Sequence, residues 1–303
     1  MTLVVGAQNA HYALQVSDRR LTDEAGVSVD EESNKLFIFE SDACRFVVGF
    51  TGLARFSGPG AFETNKWLAD TLRDAGPPDF DPNRIIDRLR VEATRRFSTP
   101  AVLKLTPFAR RVSIMLTGFV LPTMGPLPAY CMITNYQDYE HGVDDLVPWP
   151  EFRALWRIMN GAPPPWAVQR VGYWQPFGTS QVNDMIALVR DNKPAVATVG
   201  KAVSLIRDIS GPAGSPGPIG RQLMSAVITP NDATFEYHSD FPTSTYHMPS
   251  FVYSRKSSGG LIMSGATLRA VDSLSPPVLY PRQPRNQPCA CGSKIKYKRC
   301  HGA

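Results

Sequence analysis

The chain has 303 residues, 43% hydrophobic and 19% charged, with a net charge of +5 at pH 7. That balance belongs to a folded globular protein and excludes a disordered one; no apolar run approaches the roughly 18 residues of a membrane span, and the first residues lack the basic region and long apolar core of a signal peptide, so no membrane insertion and a cytoplasmic location are expected. The positive balance comes entirely from Arg282, Arg285, Lys294, Lys296, Lys298 and Arg299, which no acid accompanies after Pro281, so the body of the chain is not basic and a nucleic-acid reading narrows to the last twenty residues.

In chain order, residues 3–8 and 11–18 read as two short strands joined tightly at Gln8-Asn9-Ala10. "NKLFIFESDACRFVVGFTG" repeats that pattern, with a polar turn at Glu40-Ser41-Asp42 and a close at Gly52. "AFETNKWLADTLRDAG" spaces Phe62, Trp67, Leu68 and Leu72 on one helical face and stops at Gly76 before two prolines. "DPNRIIDRLRVEATRRFSTP" starts a second helix with Asp81 as cap and Pro82 in the first turn. Strands return at "RRVSIMLTGFV" and "PAYCMITNY", a helical stretch interrupted at Lys193-Pro194 covers roughly 178–209, and "RQLMSAVITPN" with "ATFEYHS" gives a further hairpin. Sheets layered between helix pairs would bury both periodicities, which predicts an α+β sandwich.

Residues 136–176 interrupt this order and hold Trp149, Trp156, Trp166 and Trp174; within them "PEFRALWRIMNG" reads as a short amphipathic helix whose aromatics are expected to pack rather than to bind a ligand. Residues 239–283 lose periodicity, gain proline and read as an extension and linker. Cys44 and Cys131 stand singly in strand-like runs, as buried small hydrophobes do.

The strand that starts immediately after residue 2 directs attention to that residue. Removal of Met1, which a small second residue permits, would give Thr2 a hydroxyl and a free α-amine on adjacent atoms. A threonine hydroxyl needs a base within hydrogen-bond reach, and an α-amine with a reference pKa of about 7.7–8.0 can serve near neutral pH.

"TLVVGAQNAHYALQVSDRRLT", followed by "NKLFIF" and "VVGFTGLA", resembles the opening of proteasome β-type subunits and of the HslV peptidase, members of the N-terminal nucleophile (Ntn) hydrolases. The resemblance implies a four-layer αββα sandwich over 2–238, with 136–176 as an insertion, and a threonine-type hydrolase of peptide (amide) bonds. It also implies that Thr2 attacks, Asp18 closes the second strand, Lys35 opens the third, and the Gly52 amide holds the oxyanion. In those places Lys35 would lower the pKa values of the hydroxyl and amine, and Asp18 would orient Lys35. The Gly52 amide would fill a role in which losing one donor costs roughly 100- to 1,000-fold in rate. "FGTSQVNDMIALV" is similar to the family's glycine-serine turn into a helix, which assigns Thr179 a supporting role. "RDISGPAG" is similar to its Asp-x-x-Ser-Gly turn, which assigns support to Asp208 and Ser210, although only one residue separates them here. Peptide or protein substrates and a homo-oligomer follow as expectations.

In the tail, "PCACGSKIKYKRCHG" places Cys289, Cys291, Cys300 and His301 at a spacing suited to one structural zinc per chain, a closed Cys3His set with no position open to water. The stretch 284–303 resembles the SEC-C motif at the C-terminus of the SecA translocation ATPase, which implies a macromolecular partner, protein in preference to ribosome or nucleic acid. Two other readings stay open: a noncatalytic scaffold that acts through the tail, and a small-amide hydrolase on the same fold.

Overall fold

The computed structural model describes residues 2–22, 28–30, 33–75, 81–139, 141–161, 165–210, 219–239, 245–247, 249–255, 259–263, 267–269 and 286. The four cysteine and histidine positions read as zinc ligands lie outside the described residues.

The chain opens with strands β1 (Leu3–Gln8) and β2 (Ala13–Asp18), then β3 (Leu36–Ser41) and β4 (Cys44–Gly52). Helices α1 (Thr64–Arg73) and α2 (Pro82–Phe97) follow, and α2 begins as its sequence predicts, with the Asp81 carboxylate accepting from the Asn83 amide at 3.0 Å. After β5 (Val112–Val120), β6 (Leu127–Thr134), β7 (Arg153–Ile158) and β8 (Ala167–Gly172) come α3 (Thr179–Arg190), α4 (Ala195–Ser210), β9 (Leu223–Ile228), β10 (Ala233–His238), β11 (Phe251–Arg255) and β12 (Gly259–Met263).

Among the described residues the main strands form a five-stranded sheet in the order β8-β1-β2-β9-β10 and a seven-stranded sheet in the order β7-β6-β5-β4-β3-β11-β12. Alternation along the strands sorts their side chains into three apolar layers. Leu3, Val5, Ala7, Leu14 and Val16 pack with Val189, Val203 and Ile206 of α3 and α4. Val4, Leu36, Ile38, Val47, Met115 and Met224 meet between the two sheets. Phe37, Phe39, Phe46, Val48 and Phe50 pack with Leu68, Leu72, Ile86 and Leu89 of α1 and α2. Three cores between four layers define the αββα sandwich. Sheets covered on both faces explain why these strands read as continuous apolar runs. Gln15 helps pin the sheets together: its Nε2 donates to the carbonyls of Val47 and Met115 and to Thr117 Oγ1, each at 3.0 Å, across the inter-sheet space.

Three stretches differ from their sequence expectation. "PEFRALWRIMNG" is strand β7, not a helix: it pairs with β6 in the register Cys131↔Trp156, where Trp156 meets Phe46 edge-on at 5.9 Å. The stretch 136–176 contributes β7 to one sheet and β8 to the other, so it forms part of both layers instead of standing apart from them. Within 239–283, β11 pairs in parallel with β3 from Phe251↔Ile38 to Ser254↔Ser41, and Val252 enters the core. In each case a neighbouring strand supplies backbone partners that outweigh a weak local pattern. Cys44 and Cys131 are fully buried, and burial raises both thiol pKa values.

Candidate active site

Antiparallel pairing brings the chemically interesting strand ends together. Thr2 precedes β1 and Asp18 ends β2, so both lie at one end of the first sheet; Lys35 precedes β3 and Gly52 ends β4, at one end of the second. Stacking the sheets face to face brings these two ends into contact.

Lys35 Nζ donates to Thr2 Oγ1 at 2.8 Å and to Asp18 Oδ2 at 3.2 Å, and it also donates to the Arg20 carbonyl. Among the described residues these are three acceptors for an ammonium that carries three N–H groups. Lys35 is 1% and Asp18 0% exposed, a burial that would be costly for unpaired charges. Asp18 is satisfied further by the Leu3 amide on Oδ1 at 3.0 Å and the Gly220 amide on Oδ2 at 3.2 Å. The carboxylate thus orients the lysine, and the lysine presents one N–H to the threonine hydroxyl.

Two glycines close the space around Thr2. Gly172 has φ +91°, and a Cβ there would collide with the Thr2 carbonyl oxygen, which the next amide, Tyr173, binds at 3.0 Å. Gly52 has φ +94°, and a Cβ there would collide with the carbonyl of Arg111. Opposite Gly52, Val112 directs its amide and its carbonyl to Asn135, at 2.9 and 3.3 Å. Thr2, Gly52 and Gly172 line a cleft of about 660 Å³ whose walls include Phe56, Phe108, Arg111 and Tyr136. Tyr136 is buried, and that burial pushes its pKa up to about 12, so its phenol is neutral at physiological pH.

The remaining sequence candidates lie elsewhere. Thr179 is exposed at the first residue of α3, Asp208 is exposed in the last turn of α4, and Ser210 is buried with its hydroxyl donating to the Arg207 carbonyl at 2.9 Å. Among the described residues no hydrogen bond links any of them to Thr2. Gly172 and Tyr173 occupy the position beside Thr2 instead. The stretch "RVGYW" carried a signal for them, an apolar strand that ends on glycine, but no local pattern revealed that its partner is β1. Arg20 and Gly220 act through backbone atoms, which side-chain motifs do not display.

The fold and the strand-end cluster define a proteasome-like α+β sandwich. Among solved structures the chain is similar to the Anbu (Gly-1) mutant from Hyphomicrobium sp. strain MC1, with a TM-score of 0.50 and 10% identity over 79% of this chain and 88% of that chain. It is also similar to Anbu (ancestral beta-subunit) from Yersinia bercovieri, with 0.48, 14%, 79% and 88% for the same quantities, and to eukaryotic HslV from Trypanosoma brucei, with 0.40, 14%, 75% and 99%. Residues 285–303 match the SEC-C motif family. No curated protein matches the chain by sequence. Among the described residues no helix is long and apolar enough to cross a membrane, and no cluster of three or more His, Cys, Asp or Glu could hold a metal ion.

Proposed function

We propose that the chain is a threonine-type Ntn hydrolase of peptide (amide) bonds. The observation that carries this reading is the buried chain Asp18–Lys35–Thr2, with an ammonium 2.8 Å from a hydroxyl that lines a cleft. Once Met1 is removed, the α-amine of Thr2 takes the hydroxyl proton as Oγ1 attacks the substrate carbonyl, and Lys35 stabilises the developing alkoxide electrostatically. The Gly52 amide donates to the tetrahedral oxyanion. Collapse breaks the C–N bond, the departing amine leaves with the proton, and water then hydrolyses the Thr2 ester.

The tail fits zinc through the chemistry of its donors: Cys289, Cys291, Cys300 and His301 would form a closed tetrahedral set that folds the segment and leaves the hydrolytic chemistry to Thr2. Its basic surface would recruit a macromolecular partner, most simply a protein. The scaffold alternative draws its support from Thr179 and Asp208, which are exposed and, among the described residues, make no hydrogen bond to Thr2.

Intact-mass spectrometry of the purified protein, before and after reaction with a peptide epoxyketone, tests the reading. The expected result is loss of Met1 and one adduct that Thr2→Ala abolishes. Quantitative retention of Met1, or an unchanged adduct on the alanine variant, rejects it.

A further inference from the structure

The cleft carries one charge that the hydrolytic chemistry leaves unused. Arg111 sits directly before β5, and its carbonyl packs against Gly52. Its guanidinium lies 5.4 Å from the Tyr136 ring centroid and 5.6 Å from that of Phe108, and all three residues line the cleft with Thr2. Among the described residues the guanidinium makes no hydrogen bond and no ion pair, and Nε is buried without a partner. Asp144 senses its charge, but that carboxylate accepts from Gln137 Nε2 at 3.2 Å and from Gln175 Nε2. The other charged lining residues are engaged: Arg55 pairs with Glu63 at 3.5 Å, and Asp30 accepts from Ser33 Oγ.

A guanidinium held against aromatic faces keeps its in-plane N–H edge for a planar, bidentate acceptor. We propose that Arg111 selects substrates bearing a carboxylate, supplied by an acidic side chain or by a free C-terminus, next to the amide presented to Thr2. This specificity rests on the hydrolase reading for its purpose, but the binding it predicts does not require turnover.

Isothermal titration of the full-length Thr2→Ala protein tests it with acetylated alanine hexapeptide amides carrying one Glu at successive positions, their Gln counterparts, and the all-alanine peptide with a free C-terminal carboxylate. At least one acid is expected to bind about tenfold tighter than its neutral counterpart at low ionic strength. The Glu and free-acid arms identify which source is read. Arg111→Met should abolish the difference, and Arg111→Lys should keep part of it, because an ammonium retains charge without the fork. Equal affinities, no binding of any probe up to the millimolar range, or a preference that survives Arg111→Met overturns the proposal. Should Arg111→Met fail to fold, Arg111→Lys and ionic strength decide: an acid preference that neither the lysine nor added salt reduces also overturns it. Turnover of the same peptides by the Thr2 protein is scored separately. Acids that bind selectively but are never cleaved sink the hydrolase reading alone, whereas cleavage without acid preference sinks the Arg111 proposal alone.

Discussion

Gly172 and Thr2 face each other so closely that a single methyl group on the glycine would enter the space of the threonine carbonyl oxygen. The glycine's φ of +91° turns the chain so that the next amide, that of Tyr173, can hold that same oxygen at 3.0 Å. Conformational freedom at residue 172 is thereby tied to the position of the hydroxyl at residue 2.

Gly172→Ala should therefore both destabilise the fold and displace Thr2. Gly60 provides the control: it has φ +80° but nothing within reach of an added Cβ, so Gly60→Ala isolates backbone strain, about 1–2 kcal/mol. Urea melts should place the Gly172 variant well below the Gly60 variant, and adduct formation at Thr2 should fall only in the former. Equal stabilities for the two would remove the collision from the explanation.

Asp18 and Lys35 should separate stability from activity. Replacing Asp18 by Asn leaves a buried ammonium short of its counter-charge, which costs about 3–5 kcal/mol; the double variant Asp18→Asn, Lys35→Met removes both charges and should regain much of that loss. Turnover should be lost in both singles, and the double should lose little beyond the worse of them. Additive losses of turnover would mean that the two residues act independently.

A third prediction concerns pH. Burial, with a contribution from nearby Arg207, lowers the pKa of His238 to about 4 from an ordinary 6.5, and its Nε2 lies 2.9 Å from Ser225 Oγ. The unfolded chain therefore binds more protons than the folded one between those values, and stability should rise with pH from about 4 to 6.5 and level off above it. The urea midpoint should trace that rise, and His238→Gln should flatten this part of the profile. An unchanged slope in the variant would assign it to other groups.

Chelation addresses the tail. Strong chelators should remove one zinc per chain and abolish binding to a macromolecular partner, while turnover of a small peptide continues, because the proposed Cys3His set would leave no position open for hydrolytic chemistry and Thr2 is distant from it in the chain. The scaffold reading predicts the same loss of binding with no turnover at any stage. Reversible loss of small-peptide turnover in an otherwise folded protein would point to metal-dependent chemistry instead.

The opening strands β1 to β4 and helices α1 to α4 were legible from the chain, because sustained alternation or helical spacing needs no distant information. Thr2 stood out as a hydroxyl beside a potential free amine, and the resemblance of the opening strands to proteasome β-type subunits pointed to Asp18 and Lys35; antiparallel hairpins return those strand ends to one edge. Spacing alone also nominated Cys289, Cys291, Cys300 and His301 as a zinc set, an expectation that lies outside the described residues. The contact of Gly172 and Tyr173 with Thr2, the strand at residues 153–158 and the place of β11 beside β3 came from the folded arrangement. That arrangement also brought Arg111 to the wall of the cleft and assigned the Arg20 carbonyl to Lys35. Those choices depend on partners up to about 210 residues away and on backbone atoms common to every residue type, and neither leaves a periodic trace in the chain.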